Sequence, residues 1–268
     1  SSEITLQPIK RFDLDSAIIF SDILMVPYAL GQNVKFIKDE GPILDNFNIK
    51  TLLNNDKISF TQRLHPVYKA IEIIKKNLNK NKSLISFIGA PWTLLIYMLG
   101  AKTEKNIIDL KKIKLKEFEL NTILNKLHDY LCIHIENQIN AGADVVQIFD
   151  SWAGLIRDNN IKDYCFIPNA NIVEFCKKEK IPNICFPKGI KEKYDYFNQI
   201  VKPDGINLDY DVDPLWAKKK LRNTVIQGGL DPKILLKSDK EMFEGATKYI
   251  EMFKDIPYIF NLGHGLLP

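Results

Sequence analysis

Three side chains able to take part in binding or acid–base chemistry follow short apolar runs at distant points of the chain: Asp22, Ser151 and His264. His264 lies between Gly263 and Gly265, so neither of its chain neighbours has a side chain that could cover it. Imidazole and hydroxyl groups suit hydrogen bonding to acidic groups, whereas a carboxylate suits the stabilisation of positive charge. If the fold brings these residues together, they indicate a site for an acidic ligand.

Each of these residues also has an ordinary structural interpretation. Asp22 could simply cap the helix predicted to follow it, and Tyr97, on the second turn of a predicted helix, could be plain core. Asp150 and Asp209 also follow predicted strands, and each fits a local turn as well as a site. Only the joint occurrence of these residues at strand ends favours a functional site.

Two other kinds of site can be drawn from the same segments. Ser151, His264 and Asp22 are the residue types of a Ser–His–Asp hydrolase, but no GxSxG turn surrounds Ser151. The segments "QGGLDP" and "LGHG" could bind phosphate at a helix start. Asp231 would occupy that start and repel an anion, and as the residue before Pro232 it is better explained as a helix cap.

The elements that must position these residues are short β-rich runs separated by helical stretches, which predicts a parallel sheet. The predicted strands are seven: Ala17–Phe20, Leu84–Ile88, Val145–Phe149, Ile184–Phe186, Gly205–Leu208, Val225–Gln227 and Ile259–Leu262. A long helix between the second and third carries Leu120, Leu124, Leu127, Leu131 and Ile135 on one face.

The choice lies between an open doubly wound sheet and a closed barrel. The first strand is followed by "SDILMVPYALG", without the GxGxxG turn of a nucleotide-binding sheet, and 268 residues suit a barrel of eight βα units. We therefore predict the α/β class, a (β/α)8 TIM-type barrel that forms one domain over residues 1–268. Because seven strands are visible, we expect the eighth to lie upstream of Ser1. Barrel chemistry lies at the carboxyl ends of the strands, which places Asp22, Ser151 and His264 at one mouth.

Composition argues against several classes of function. Lysine and arginine exceed aspartate and glutamate by only 37 to 33 and are scattered, which argues against a nucleic-acid surface. The four cysteines form no CxxC pair and no signal peptide is visible, so we expect a cytoplasmic location. The uncharged stretch Leu84–Ala101 is divided by Gly89-Ala90-Pro91 into a strand and a helix, so we expect no membrane insertion.

Five segments together carry a resemblance to a known family: "AIIFSDILMVPYALG", "FIGAPWTLLIYMLG", "VVQIFDSWAG", "VIQGGLDP" and "NLGHGLLP". In this order and spacing they resemble uroporphyrinogen decarboxylase, over essentially the whole chain. The resemblance implies a (β/α)8 barrel, usually a cytoplasmic homodimer of haem biosynthesis. It also implies conversion of the four acetate side chains of uroporphyrinogen III to methyl groups, giving coproporphyrinogen III, without cofactor or metal.

The resemblance also assigns site residues. Asp22 matches the family's aspartate that receives the pyrrole N–H groups, and Phe149 matches an aromatic residue near the bound ring. Tyr97, Ser151 and His264 match residues that contact the substrate or its carboxylates. The family's amino-terminal arginine segment and carboxyl-terminal helix have no counterpart in this sequence, so we expect a barrel that is incomplete at both ends.

The chemistry requires a place for the electrons released with CO2. Protonation of a pyrrole carbon makes the ring a cationic electron sink, and an ionised carboxylate near the ring nitrogens stabilises that cation, which is the catalytic role predicted for Asp22. Two alternatives stay open at this point. One is a zinc-dependent methyltransferase of the same superfamily, and the other is a non-catalytic barrel that lacks the arginine segment.

Overall fold

The computed structural model of the protein describes residues 1–37, 41–100 and 115–266. Its strands are β1 Ser16–Ile18, β2 Val34–Ile37, β3 Gly41–Leu44, β4 Ser83–Gly89, β5 Val145–Asp150, β6 Asn183–Pro187, β7 Gly205–Leu208, β8 Val225–Gly228 and β9 Tyr258–Ile259. Its α-helices are α1 Ser2–Phe12, α2 Met25–Ala29, α3 Ile49–Leu53, α4 Lys57–Asn77, α5 Pro91–Met98, α6 Glu117–Asn140, α7 Ile167–Lys178, α8 Tyr194–Val201, α9 Pro214–Lys220 and α10 Asp239–Phe253.

Seven of the strands form one parallel sheet in the order β1-β4-β5-β6-β7-β8-β9, and β2 and β3 form a separate antiparallel pair. The seven predicted strands and their parallel arrangement are thereby confirmed, although the last strand is shorter than predicted and ends at Ile259, with Leu262 in an isolated bridge to Leu230. Among the described residues β1 and β9 are the edges of this sheet. The eighth strand expected upstream of Ser1 stays a prediction.

The sheet is strongly curled, as a contact on its inner face demonstrates. Gln147 on β5 and Gln227 on β8 are three strand positions apart, which would be roughly 14 Å in a flat sheet. Their side chains nevertheless meet, since Gln227 Nε2 lies 3.4 Å from Gln147 Oε1 and also donates to Asn207 Oδ1 at 2.8 Å. The α/β barrel-type architecture predicted from the sequence is therefore correct.

Helices cover the outer face of the sheet, and α6 is the longest of those described. Its predicted apolar face is buried, from Leu120 to Ile135. The same face also buries His134, whose ring bonds with the Tyr68 hydroxyl and the Gln138 amide, each at 3.0 Å. A histidine within a helix is most simply interpreted from sequence as a surface or partly buried residue, and for His134 this interpretation is wrong, because polar partners on α4 and α6 satisfy both ring nitrogens.

The uncharged stretch that begins at Leu84 divides as predicted. Its first part is strand β4 and its second part is helix α5, which begins at Pro91. Proline suits this position because the first amide of a helix has no intrahelical partner. Within residues 1–37, 41–100 and 115–266, no helix is long and apolar enough to cross a membrane.

Candidate active site

The carboxyl ends of β5 and β6 and the segment after β9 surround a cavity of about 710 Å³. Four of the five predicted site residues line it: Tyr97, Phe149, Ser151 and His264. Three other clefts of the described chain are smaller, at about 320 to 490 Å³. The structure thus brings together residues that are up to 167 positions apart in sequence because parallel strands end at the same rim.

One wall of the cavity is aromatic. Phe149 on β5 is in register with Phe186 on β6, and Phe87 lies on the adjacent strand β4. Neighbouring rings pack edge to face, with centroids 5.6 Å apart for Phe87 and Phe149 and 6.3 Å apart for Phe149 and Phe186. Such a wall offers a broad apolar contact surface to a ligand made of rings.

The rest of the cavity lining includes basic and hydroxyl groups. Lys188 and Lys191 line the cavity together with His264 and the half-buried Ser151. The lining residues that the structure describes include no carboxylate. The cavity therefore combines an apolar wall with positive charge, which favours an anionic ligand.

Asp22 lies in the loop between β1 and α2 and is half-buried. Its Oδ1 accepts a hydrogen bond from the Leu24 amide at 2.8 Å, so the capping interpretation is correct for this oxygen. Asp22 also lies close enough to Tyr97 to affect its titration. Burial and then the charge of Asp22 raise the pKa of the Tyr97 hydroxyl, while a hydrogen bond with the Trp152 side chain opposes the rise. Asp22 is not among the residues that line the cavity, and its charge acts on one of them, Tyr97.

Asp150, at the end of β5, is buried next to the cavity-lining residue Ser151. Its carboxylate is fully buried and accepts hydrogen bonds from Thr93 Oγ1 at 2.7 Å and Asn169 Nδ2 at 2.9 Å. Thr93 Oγ1 in turn accepts from the Trp152 amide at 3.2 Å. Burial raises the pKa of Asp150, and these hydrogen bonds partly offset the rise. Asp150 could belong to a local turn or to the site itself, and the structure favours the local role, in which its hydrogen bonds position Ser151 and Trp152.

Asp209 has a similar position beneath the next loop. Its Oδ2 accepts from the Gly189 amide at 2.5 Å and from the Tyr194 hydroxyl at 3.0 Å. Burial raises the pKa of Asp209, against the lowering effect of the Gly189 and Tyr194 hydrogen bonds. This carboxylate fixes the loop that carries Lys188.

Sequence reasoning missed the two lysines of the cavity. Both lie in the segment "FPKGIK" that ends β6, and the position of Lys188 directly after a strand was the only available signal. A strand end alone does not reveal side-chain direction, so lysine there reads as an exposed residue.

The cysteines lie apart from the cavity. Cys165, Cys176 and Cys185 are buried, and Cys132 is half-buried on α6. Burial raises the pKa of the Cys132 and Cys176 thiols to about 12. Across the described part of the chain, no group of three or more His, Cys, Asp or Glu side chains is placed to hold a metal ion.

A curled parallel sheet wrapped by helices, with a cavity at the carboxyl ends of its strands, defines an α/β protein of the barrel class, in which active sites lie at the strand ends. The family model described as uroporphyrinogen decarboxylase (URO-D) matches residues 1–268. The chain belongs to this family, which confirms the assignment made from the five segments.

Curated relatives agree with the family model. The chain is 43% identical over 276 residues to uroporphyrinogen decarboxylase of Orientia tsutsugamushi (strain Ikeda), covering all of this chain and 79% of that protein. It is 39% identical over 272 residues to the uroporphyrinogen decarboxylase of Rickettsia bellii, covering all of this chain and 80% of that protein.

Among solved structures, a methyltransferase from Methanosarcina mazei superposes with a TM-score of 0.81 at 15% identity, covering all of this chain and 79% of that one. At this identity the likeness establishes a shared fold only.

Proposed function

We propose that this chain catalyses decarboxylation of the four acetate side chains of uroporphyrinogen III, giving coproporphyrinogen III. The observation that carries the proposal is the cavity itself, where four residues matched to the family's substrate contacts meet. Family membership over residues 1–268 supplies the identity of the substrate.

The lining suits a macrocycle that bears acidic side chains. The edge-to-face rings of Phe149 and Phe186 offer an apolar surface to the pyrrole rings. Lys188, Lys191 and the Ser151 hydroxyl offer charge and hydrogen bonds to carboxylates at the rim. A substrate with an apolar ring system and a charged periphery uses both halves of this cavity.

Asp22 is proposed to stabilise the charge that develops in the ring. Its Oδ1 is engaged by the Leu24 amide, and no described residue donates a hydrogen bond to Oδ2, which leaves that oxygen available to pyrrole N–H groups. When a pyrrole carbon is protonated, the ring becomes cationic and the carboxylate interacts favourably with it. The C–C electron pair freed by loss of CO2 then flows into the ring, and protonation of the resulting methylene carbon gives the methyl group. Loss of the proton first added to the ring carbon then restores the neutral pyrrole.

The wider setting follows from the family and is part of the same proposal. We infer a homodimer in the cytoplasm that acts in haem biosynthesis on a porphyrinogen substrate, with no nucleic-acid partner.

Of the two alternatives, the zinc-dependent methyltransferase is less well supported than the decarboxylase. The likeness to a methyltransferase rests on 15% identity, against 43% to a curated decarboxylase. The cysteines that zinc chemistry would use lie in buried core or on α6, apart from the cavity.

The experiment is incubation of the purified protein with uroporphyrinogen III, with products separated by their number of carboxyl groups. Stepwise appearance of three intermediates and then coproporphyrinogen III supports the proposal. Recovery of unchanged substrate, under conditions where a curated relative converts it, would leave the non-catalytic barrel as the better description.

A further inference from the structure

Lys188 and His264 form a close pair at the rim of the cavity. The Lys188 Nζ atom lies 2.6 Å from His264 Nε2. Because a lysine ammonium group can only donate, His264 Nε2 must be the acceptor. The proton of the neutral imidazole is then on Nδ1, which faces the Gly265 carbonyl oxygen at 3.3 Å.

Backbone contacts hold the two loops that carry this pair. On one side the Lys188 amide donates to the Asp150 carbonyl at 3.2 Å, and the next amide is fixed by Asp209. On the other side Gly263 lies directly against the segment that follows β7, since a Cβ at this position would be 2.5 Å from the Tyr210 amide nitrogen. Lys188 follows β6 and His264 follows β9, and the packing of Gly263 against the segment after β7 helps to bring these two loops together although β7 and β8 lie between their strands.

The charge on Lys188 has no ion-pair partner among the described residues. No salt bridge joins its Nζ to a described carboxylate, although its charge is among the effects that lower the pKa of Asp209, and its side-chain hydrogen-bond partner is the neutral ring of His264. An ammonium group has three N–H donors, so two remain after the bond to His264. A positive charge with spare donors at the edge of a cavity is a binding group for an anion.

We propose that Lys188 binds a carboxylate of the substrate, and that His264 is a positioning residue that fixes the Lys188 ammonium group through Nε2. The identity of the ligand rests on the proposed function. The family resemblance implies direct contact between His264 and the substrate, whereas this geometry assigns the direct contact to Lys188.

A double-mutant cycle tests the proposal. Lys188→Met, His264→Asn and the double variant are compared for KM and kcat with uroporphyrinogen III, and for equilibrium binding of coproporphyrinogen III. Lys178→Met is the charge-matched control, because Lys178 is an exposed residue at the end of α7 whose ammonium group forms a salt bridge with Glu174 of the same helix. Lys188→Gln is measured in parallel, and thermal denaturation checks that every variant is folded.

Lys188→Met is expected to raise KM about tenfold or more, as for loss of one charge-assisted hydrogen bond, while kcat changes less than about threefold. His264→Asn, whose amide is too short to reach Lys188, should raise KM by less. The double variant should resemble Lys188→Met alone, since contacting residues are coupled.

The inference is overturned if the wild type is active and the two Lys188 variants match Lys178→Met, or if the effects of Lys188→Met and His264→Asn simply multiply. A wild type that binds the macrocycle without releasing CO2 contradicts the proposed function instead, and the cycle is then read from the binding constants.

Discussion

Replacing Asp22 with asparagine separates the two contacts of this residue. Its Oδ1 accepts the Leu24 amide at 2.8 Å, and asparagine retains an oxygen at that position. Since asparagine and aspartate are about equally good caps, the free energy of unfolding should change by less than about 0.5 kcal/mol. Asp22→Ala removes the cap as well and should cost about 1 kcal/mol.

The activity of Asp22→Asn should fall much further than its stability. A carboxylate about 4 Å from a ring cation interacts by about 4 kcal/mol at an effective dielectric constant of about 20. Removal of a preorganised electrostatic partner lowers kcat by on the order of 10²-fold to 10³-fold, which is compatible with that energy. Substrate affinity should change less, because the ring nitrogens are neutral before protonation.

The assay is kcat with uroporphyrinogen III, paired with chemical denaturation. Asp231→Asn is the matched control, because Asp231 also follows a strand and caps a turn, accepting the Lys233 amide at 2.9 Å. It should retain normal turnover. An Asp22→Asn protein that is stable and decarboxylates within a few-fold of wild type would remove Asp22 from the mechanism.

Three further predictions concern acid stability, backbone packing and metal. Burial lowers the pKa of His134 to about 3, so from pH 6.5 downwards the unfolded chain binds a proton that the folded chain does not, and stability falls as pH falls towards 3. By about pH 5 the free energy of unfolding should have fallen by about 2 kcal/mol. Urea unfolding at about pH 7.5 and about pH 5 should show a smaller fall in His134→Gln than in the wild type. The raised pKa values of the buried aspartates affect both proteins alike and cancel in this comparison. A Cβ at Gly154 would overlap the Gly189 carbonyl oxygen, so Gly154→Ala should lower the unfolding free energy by about 1 to 3 kcal/mol. Gly265→Ala is the control, because no atom lies within 4 Å of the added Cβ, and its melting temperature should equal that of the wild type. Dialysis against a strong chelator should leave turnover unchanged, and a loss that zinc restores would favour the methyltransferase.

The sequence predicted the parallel sheet because its inner strands are largely buried on both faces and therefore read as continuous apolar runs. Strand β6, for example, is buried at all five positions and was predicted within two residues. The hairpin of β2 and β3 was missed because it is short and contains Gly41 and Pro42, which weaken a strand pattern.

The site was predicted in part for a similar reason. Strand ends locate Asp22, Ser151 and His264 at one rim, since that follows from parallel topology alone. The pairing of Lys188 with His264 could not be predicted, because the two residues are 76 positions apart and side-chain direction depends on how the loops pack. Capping does not exclude a site role for Asp22, because its Oδ1 accepts the Leu24 amide while no described residue donates to its Oδ2.

The most direct test of this account is a crystal structure of the protein with coproporphyrinogen III. The account predicts the macrocycle against Phe149 and Phe186, with Asp22 Oδ2 within hydrogen-bond distance of pyrrole nitrogens and a carboxylate on Lys188. A macrocycle bound in another cleft, or one whose nitrogens lie away from Asp22, would contradict it.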